Sequence, residues 1–393
     1  MKRLLVLGGA EFNVPLVKKA KEKAYYVGVV DINKDSPAFK YADKKYIVSL
    51  KDKEEVLRCA KDFNPDGITV GMVETAVGSC AYVTSKLNLP GIDEEAARNS
   101  TDKYKMIKIF EKYNVPHPCF VYVPKNKILN VRIDLTFPVI VKPVDMSGSR
   151  GIFLANNEVE LKDAMQKSSK ISYRGDVIVE EYMDGPEVSV ELVIKDGIPH
   201  VIQITDKTTS GFPHFAEIGH FQPSQLPDDI LIKIKEVACN AAKALNLKNS
   251  LGHAEIKVTS SGPKMVEMGA RAGGDGIGEQ LIELSTGVSF TEIAIQIAMG
   301  EEIIIPDKRL NKSSCIRFIL SCDGVLKSVE GIDSARTLNN IKEVNIYGVP
   351  GNEYHDMIDN SGRIGYVISS SDIVKETKDS CDNAIDLIKV TYE

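Results

Sequence analysis

Apolar residues in the first hundred positions gather in short runs separated by amphipathic stretches. Arg3–Leu7 predicts a buried strand, Pro15–Lys23 a helix, and Tyr26–Asp31 a second strand ending in an acid. Glu54–Phe63 predicts a helix, Gly67–Val70 a third strand and Thr75–Leu87 another helix. That alternation is the rhythm of a doubly wound parallel sheet. Leu89-Pro90-Gly91 closes it, and Asp93–Tyr113 predicts helix with a stop and new N-cap at Asn99–Asp102. From Phe137 to about Arg271 strands dominate, interrupted by helices at Glu158–Ser168 and Leu231–Leu245, the latter with a helical apolar stripe. Val288–Met299 is a third helix in this part of the chain. After Pro306 the pattern turns to short strands with glycine turns (Cys315–Cys322, Asn345–Gly348, Ile364–Ser369) and a final helix over Ser380–Val390. The expected class is α/β (α+β), with a small third domain at the C-terminal end.

A chain of 393 residues is too long for one ordinary core, so two or three domains are expected. A net charge of −6 with both signs mixed and no basic run argues against a nucleic-acid partner. Seven scattered cysteines without a CxxC pair fit a reducing cytoplasm. The apolar run near the N-terminus is about five residues, too short for a signal peptide, and no stretch approaches a membrane span. Gly8-Gly9 after the first strand lacks GxGxxG, so a scaffold without a bound dinucleotide is expected.

Chemistry concentrates further on. Lys142 ends the strand Val139–Pro143, where its ammonium can meet phosphate oxygens. Ser147–Gly151 (SGSRG) follows as a glycine-rich flap whose backbone N–H groups can approach an anion: Ser147, Gly148, Ser149 and Gly151. No GKS or GKT is present, so it is not a Walker A loop. The strand Val177–Val179 runs into Glu180-Glu181-Tyr182-Met183, an edge that can read adenine, and Glu187 is placed for ribose hydroxyls. Glu187, Ser189 and Glu191 share one face of a strand. A hairpin centred on Ser261 sets Glu255 across from Glu267; opposed carboxylates repel, and a divalent cation between them relieves this. Arg271 follows in a glycine-rich loop, suited to a transferring phosphoryl group. Each feature alone has an ordinary reading: a strand-end lysine, a turn, a solvated acidic edge. His253 and His220 are expected to be structural. The set in order carries the weight.

In that order the chain resembles the ATP-grasp superfamily over about residues 1–305, and the likeness extends towards the end. The resemblance implies a Rossmann-like leading domain (1–100), an ATP-grasp domain (101–305) with a lid at about 120–182, and a C-terminal α+β domain (306–393). It implies ATP and Mg²⁺ (or Mn²⁺) as cofactors, a linker-helix lysine at Lys103, and metal carboxylates at Glu255 and Glu267. Family members often carry Asn two residues after the second glutamate; here Gly269 stands there. The resemblance then implies a single Mg²⁺, or a second one held by Asp275 or water. Glu217–Ser224 and Glu267–Ile277 are similar to the L-amino-acid ligase branch, which activates a carboxylate as an acyl phosphate and joins it to an amine. Substrate contacts are then expected at Glu74, His220, Gly273, Gly274 and Asp275, with walls over 214–220 and 273–277. The implied partners are a small-molecule carboxylate and an amine, and a homodimer is common in the family. Two other readings stay open: a bicarbonate-activating carboxylase or carbamoyl-phosphate-type enzyme, and a nucleotide-binding module without turnover.

Overall fold

The computed structural model describes residues 1–128, 131–211, 216–357 and 359–393. Its first sheet is four-stranded and parallel, ordered Lys44–Ile47, Tyr26–Asp31, Arg3–Leu7, Gly67–Thr69. The period-two pattern of its central strand explains the double winding. Leu4 and Val6 face a core with Val17 and Phe290, while Leu5 and Leu7 face Val56 and Phe63. The edge strand Lys44–Ile47 has no apolar run, so its pattern did not signal a strand. Gly9 N–H donates to Asp31 Oδ2 at 2.7 Å, so the acid ending the second strand occupies the first loop.

A second four-stranded sheet stands alone, ordered Phe120–Val123, Val177–Glu181, Val139–Pro143, Phe153–Ala155. Helix Glu158–Ile171 covers it through Leu161, Ala164 and Met165. This is the lid. Two backbone hydrogen bonds fasten its ends to the hairpin Ser250–Thr259/Gly262–Gly269: Met265 N–H to Pro116 O at 2.8 Å and Val258 N–H to Pro186 O at 2.9 Å. Between them Gly185 has φ +123, and a side-chain carbon there would lie 2.1 Å from Val258 O. Only glycine fits.

The third sheet has eight strands and begins with that hairpin. It continues through Glu187–Lys195, Ile198–Thr209 and Glu217–Gln222 into Ser313–Leu320, Arg363–Ser371 and Ile341–Ile346. Three of the strands after Pro306 therefore extend the central sheet. Glu217–Gln222 pairs directly with Ser313–Leu320, His220 opposite Ile316. Helix Asp228–Ala244 packs its stripe (Ile234, Val237, Ala238, Ala241) beside Met265 and Met268. The last helix is Val374–Leu387, not 380–390. Lys389–Tyr392 alternates exposed and half-buried positions and pairs with Gly324–Glu330, so the chain leaves the helix to close a small three-stranded sheet. Among the described residues no single helix is long and apolar enough to cross a membrane, and all seven cysteines are unpaired.

Candidate active site

A cavity of about 430 Å³ lies between the lid, the near half of the central sheet and the end of the first sheet. Glu74, Lys103, Lys142, Ser147, Gly148, Ser149, Glu180, Glu181, Tyr182, Met183, Glu187, Glu255, Glu267, Arg271, Gly274 and Asp275 all line it. Gly151, Gly273 and His220 do not. Gly273 N–H instead donates to Glu191 Oε2 at 2.9 Å, and His220 is fully buried. The expected substrate contact at His220 is thus withdrawn behind Glu217, 3.5 Å away. His214, also expected in a wall, falls outside the described residues.

Lys142 donates to Glu180 Oε2 at 2.7 Å, with both side chains almost fully buried (4% and 6% exposed). The strand register sets this up: Ile140 pairs with Glu180 and Lys142 with Ile178. Glu180 therefore holds the lysine and is not free for a base amine. Along the adjoining strip, Glu181 forms an ion pair with Lys264. The N–H groups of Glu181 and Tyr182 donate to Cys119 O and Pro138 O. Met183 is the first residue there whose backbone has no intramolecular partner among the described residues. It is the place on this edge that can still receive an adenine ring nitrogen.

The flap joins Val139–Pro143 to Phe153–Ala155. Gly148 (φ +69) and Ser149 (φ +59) take left-handed conformations in succession, which turns the loop over the cavity mouth.

Glu255 and Glu267 are direct cross-strand partners, as the sequence implies, although the route differs. The hairpin turns on Ser260-Ser261 with Thr259 opposite Gly262, and a bulge at Val266 restores the 255/267 register. Two cations now share these acids. Lys103 donates to Glu267 Oε1 at 2.8 Å and to Met146 O at 2.8 Å. Lys207, with 4% of its side chain exposed, lies 2.7 Å from Glu187, 2.6 Å from Glu217 and 3.2 Å from Glu255. Burial opposes its charge, but the three carboxylates hold its pKa well above the ordinary lysine value. Glu255 is half-buried, and against desolvation Lys207 and His253 keep its carboxyl well below the usual carboxylate range. His253 forms an ion pair with Glu191, its neighbour across the strands; against the effect of burial, that carboxylate pushes its pKa up to about 9. His253 is thus held by Glu191 while it also lines the cavity, and Glu187 is held by lysine as well as facing the cavity.

Arg271 Nε donates to Glu74 Oε2 at 2.7 Å and its Nη1 to Ala272 O at 2.7 Å. This contact explains Gly269. A side-chain carbon at 269 would lie 2.9 Å from Glu74 Oε2, so Glu74 fills the room an asparagine would need. The other oxygen of Glu74, Oε1, is buried without a partner, and burial raises the pKa of this carboxyl. Asp275, the other candidate for the asparagine's role, is held by Arg363 Nη1 at 2.8 Å. Glu217, His220 and Asp275 have ligand atoms within 4.8 Å of one another. Arg363 and Lys207 are ion-paired with that cluster.

Opposed carboxylates at Glu255 and Glu267, with an orphaned glutamate oxygen beside them, are oxygen donors that fit Mg²⁺, and the two lysines at the same acids are charges that phosphate oxygens can meet. Glu267→Gln is expected to keep the fold and raise the Mg²⁺ concentration needed for half-maximal activity about tenfold or more. Titrating Mg²⁺ against activity checks this; an unchanged requirement would make the pair structural.

A parallel sheet, a separate antiparallel lid and a carboxylate hairpin beneath a glycine-rich flap define a nucleotide-dependent ligase of the ATP-grasp type. Residues 135–279 match the ATP-grasp domain family, and residues 317–393 match L-amino acid ligase C-terminal domain 2. The chain thus carries an ATP-grasp domain followed by a C-terminal domain of the L-amino acid ligase kind. It is 25% identical over 406 aligned positions to a formate-dependent phosphoribosylglycinamide formyltransferase of Prochlorococcus marinus, covering 99% of this chain and 97% of that one. The crystal structure of a phosphoribosylglycinamide synthetase from Anaerococcus prevotii is similar, with TM-score 0.81, 27% identity and 100% coverage of both chains. An L-amino acid ligase from Bacillus licheniformis shares the fold, with TM-score 0.89 at 23% identity, covering 100% and 99% of the two chains.

Proposed function

We propose that this protein joins a carboxylate, of an amino acid or peptide, to an amine, with release of ADP and phosphate. The observation that carries the reading is the meeting in one cavity of Lys142, Lys103, Arg271, the flap and the Glu255/Glu267 pair. The match of residues 317–393 to an L-amino acid ligase domain favours an amine over bicarbonate as second reactant.

The chemistry needs no protein nucleophile. A substrate carboxylate oxygen attacks the γ-phosphorus of ATP, and the bond to the bridging oxygen of ADP breaks. Lys142, held by Glu180, and Arg271, held by Glu74, present fixed positive charge to the oxygens that gain charge. Glu255 and Glu267 would hold Mg²⁺, which supplies further charge neutralisation at the phosphates. An amine nitrogen then attacks the acyl carbon. The tetrahedral oxyanion collapses, phosphate leaves, and the nitrogen gives its proton to the medium or to the departing phosphate. The lid and flap keep water from the acyl phosphate.

An ¹⁸O label tests the order of events. Labelled oxygen in the substrate carboxylate is expected to appear in released phosphate, with ADP and no AMP. Label in AMP, or wholly unlabelled phosphate, would overturn the acyl-phosphate route. Substrates for this test come from a phosphate-release screen over amino acids, singly and in pairs, with and without bicarbonate. Bicarbonate-dependent release without an amino acid would favour a carboxylase.

A further inference from the structure

A second cavity, of about 420 Å³, adjoins the first. Glu74, Thr75, Met146, Ser147 and Glu267 line both, so the two meet beside the carboxylate hairpin. Its charge balance differs. Three of its acids are already engaged: Glu74 by Arg271, Glu267 by Lys103, and Asp145 by Ser172 Oγ and the Tyr173 and Arg174 backbone. Glu94 sits in the first turn of helix Glu94–Thr101, where the helix dipole favours an acid.

The cations of this cavity are not engaged in the same way. Lys51, Lys53 and Arg98 line it, and none makes an ion pair among the described residues. Lys51 Nζ rests 3.4 Å from the Tyr173 ring centroid and Lys53 Nζ 4.4 Å from that of Tyr82. Partial burial and then repulsion from Arg150 of the flap lower the pKa of Lys51, against a smaller attraction from Asp145. Gly78 and Ser79 bring the start of helix Val77–Leu87 to the same wall, and no side chain caps that helix.

We propose that this second cavity receives an anionic tail, a second carboxylate or a phosphate, of the substrate whose reacting end lies in the first cavity. The inference rests on the ligase reading. Surplus positive charge on one side of Glu74 and Glu267, and compensated charge on the other, gives an acidic substrate one direction in which to lie.

The test compares matched pairs of candidate substrates in the full chain with MgATP: glutamate against glutamine, aspartate against asparagine, phosphoserine against serine. In each case an amine or acid partner found by the phosphate-release screen completes the reaction. At least one charged member is expected to exceed its neutral counterpart tenfold or more in kcat/KM. A Lys51→Gln/Lys53→Gln double variant is expected to cut that ratio at least tenfold through KM. The identity of the favoured pair separates carboxylate from phosphate tails. Equal use of charged and neutral members by the wild type, or an unchanged ratio in the variant, overturns the proposal. If no pair yields ADP, the ligase reading fails, and calorimetric binding of glutamate and phosphoserine to the full chain with MgADP then decides the pocket. Binding lost in the double variant upholds it, and no binding to the wild type, or equal binding to both, sinks it.

Discussion

Lys142→Ala is expected to lower turnover on the order of a hundredfold or more and to weaken ATP binding. The ammonium is buried and fixed by Glu180 at 2.7 Å, so it would meet phosphate oxygens without reorganising. Truncation has a second effect. It leaves Glu180 as a buried carboxylate without its partner, a loss of about 3–5 kcal/mol in stability. The two effects separate in the double variant Lys142→Ala/Glu180→Gln, which removes the stranded charge. It should recover much of the melting temperature and none of the turnover. Thermal melts beside steady-state ADP release measure both. Near-normal ATP affinity and rate in the single variant would remove Lys142 from the phosphate site.

Lys207→Met is the other large effect. One ammonium serves Glu187, Glu217 and Glu255, all within 3.2 Å, and methionine would leave three acids facing each other. About 3–5 kcal/mol of stability should go, by the same cost of an uncompensated buried charge. Mg²⁺ should return part of it, since a cation bound to the folded state alone stabilises by mass action. The variant's melting temperature is therefore expected to rise more steeply with Mg²⁺ than that of the wild type. Parallel responses would mean that Lys207 and the metal do not share these carboxylates.

Much of this architecture was legible in the chain, because buried strands carry their own signal. Arg3–Leu7 and Tyr26–Asp31 are found at the bounds their patterns predict. Glu255 opposite Glu267 was legible too, although the sequence does not reveal that a bulge at Val266 restores a register the turn would have shifted. Side chains whose role depends on distant partners were not legible. Lys207 lies in a long strand with no local mark, and its importance comes from acids 10 to 48 positions away. Arg363 reaches Asp275 only because the C-terminal strands join the central sheet. Their alternation predicts strands but not which edge they meet. The edge strand Lys44–Ile47 escaped because half-exposed parallel edges need few apolar residues.

The two backbone hydrogen bonds that fasten the lid's ends to the carboxylate hairpin have a mechanical meaning. The eight-stranded sheet shared by the middle and the end of the chain contains none of residues 120–181, so a swing of that segment would leave it intact. The pivots lie between Pro116 and Phe120 and between Glu181 and Pro186, each within a few residues of its anchor on Met265 or Val258. The hairpin bearing Glu255 and Glu267 is thus also the bearing on which the lid turns. A swing about these anchors would carry the flap across the hairpin that bears both carboxylates, and would also part the lid from the linker helix, where Lys103 N–H donates to Val144 O at 2.9 Å.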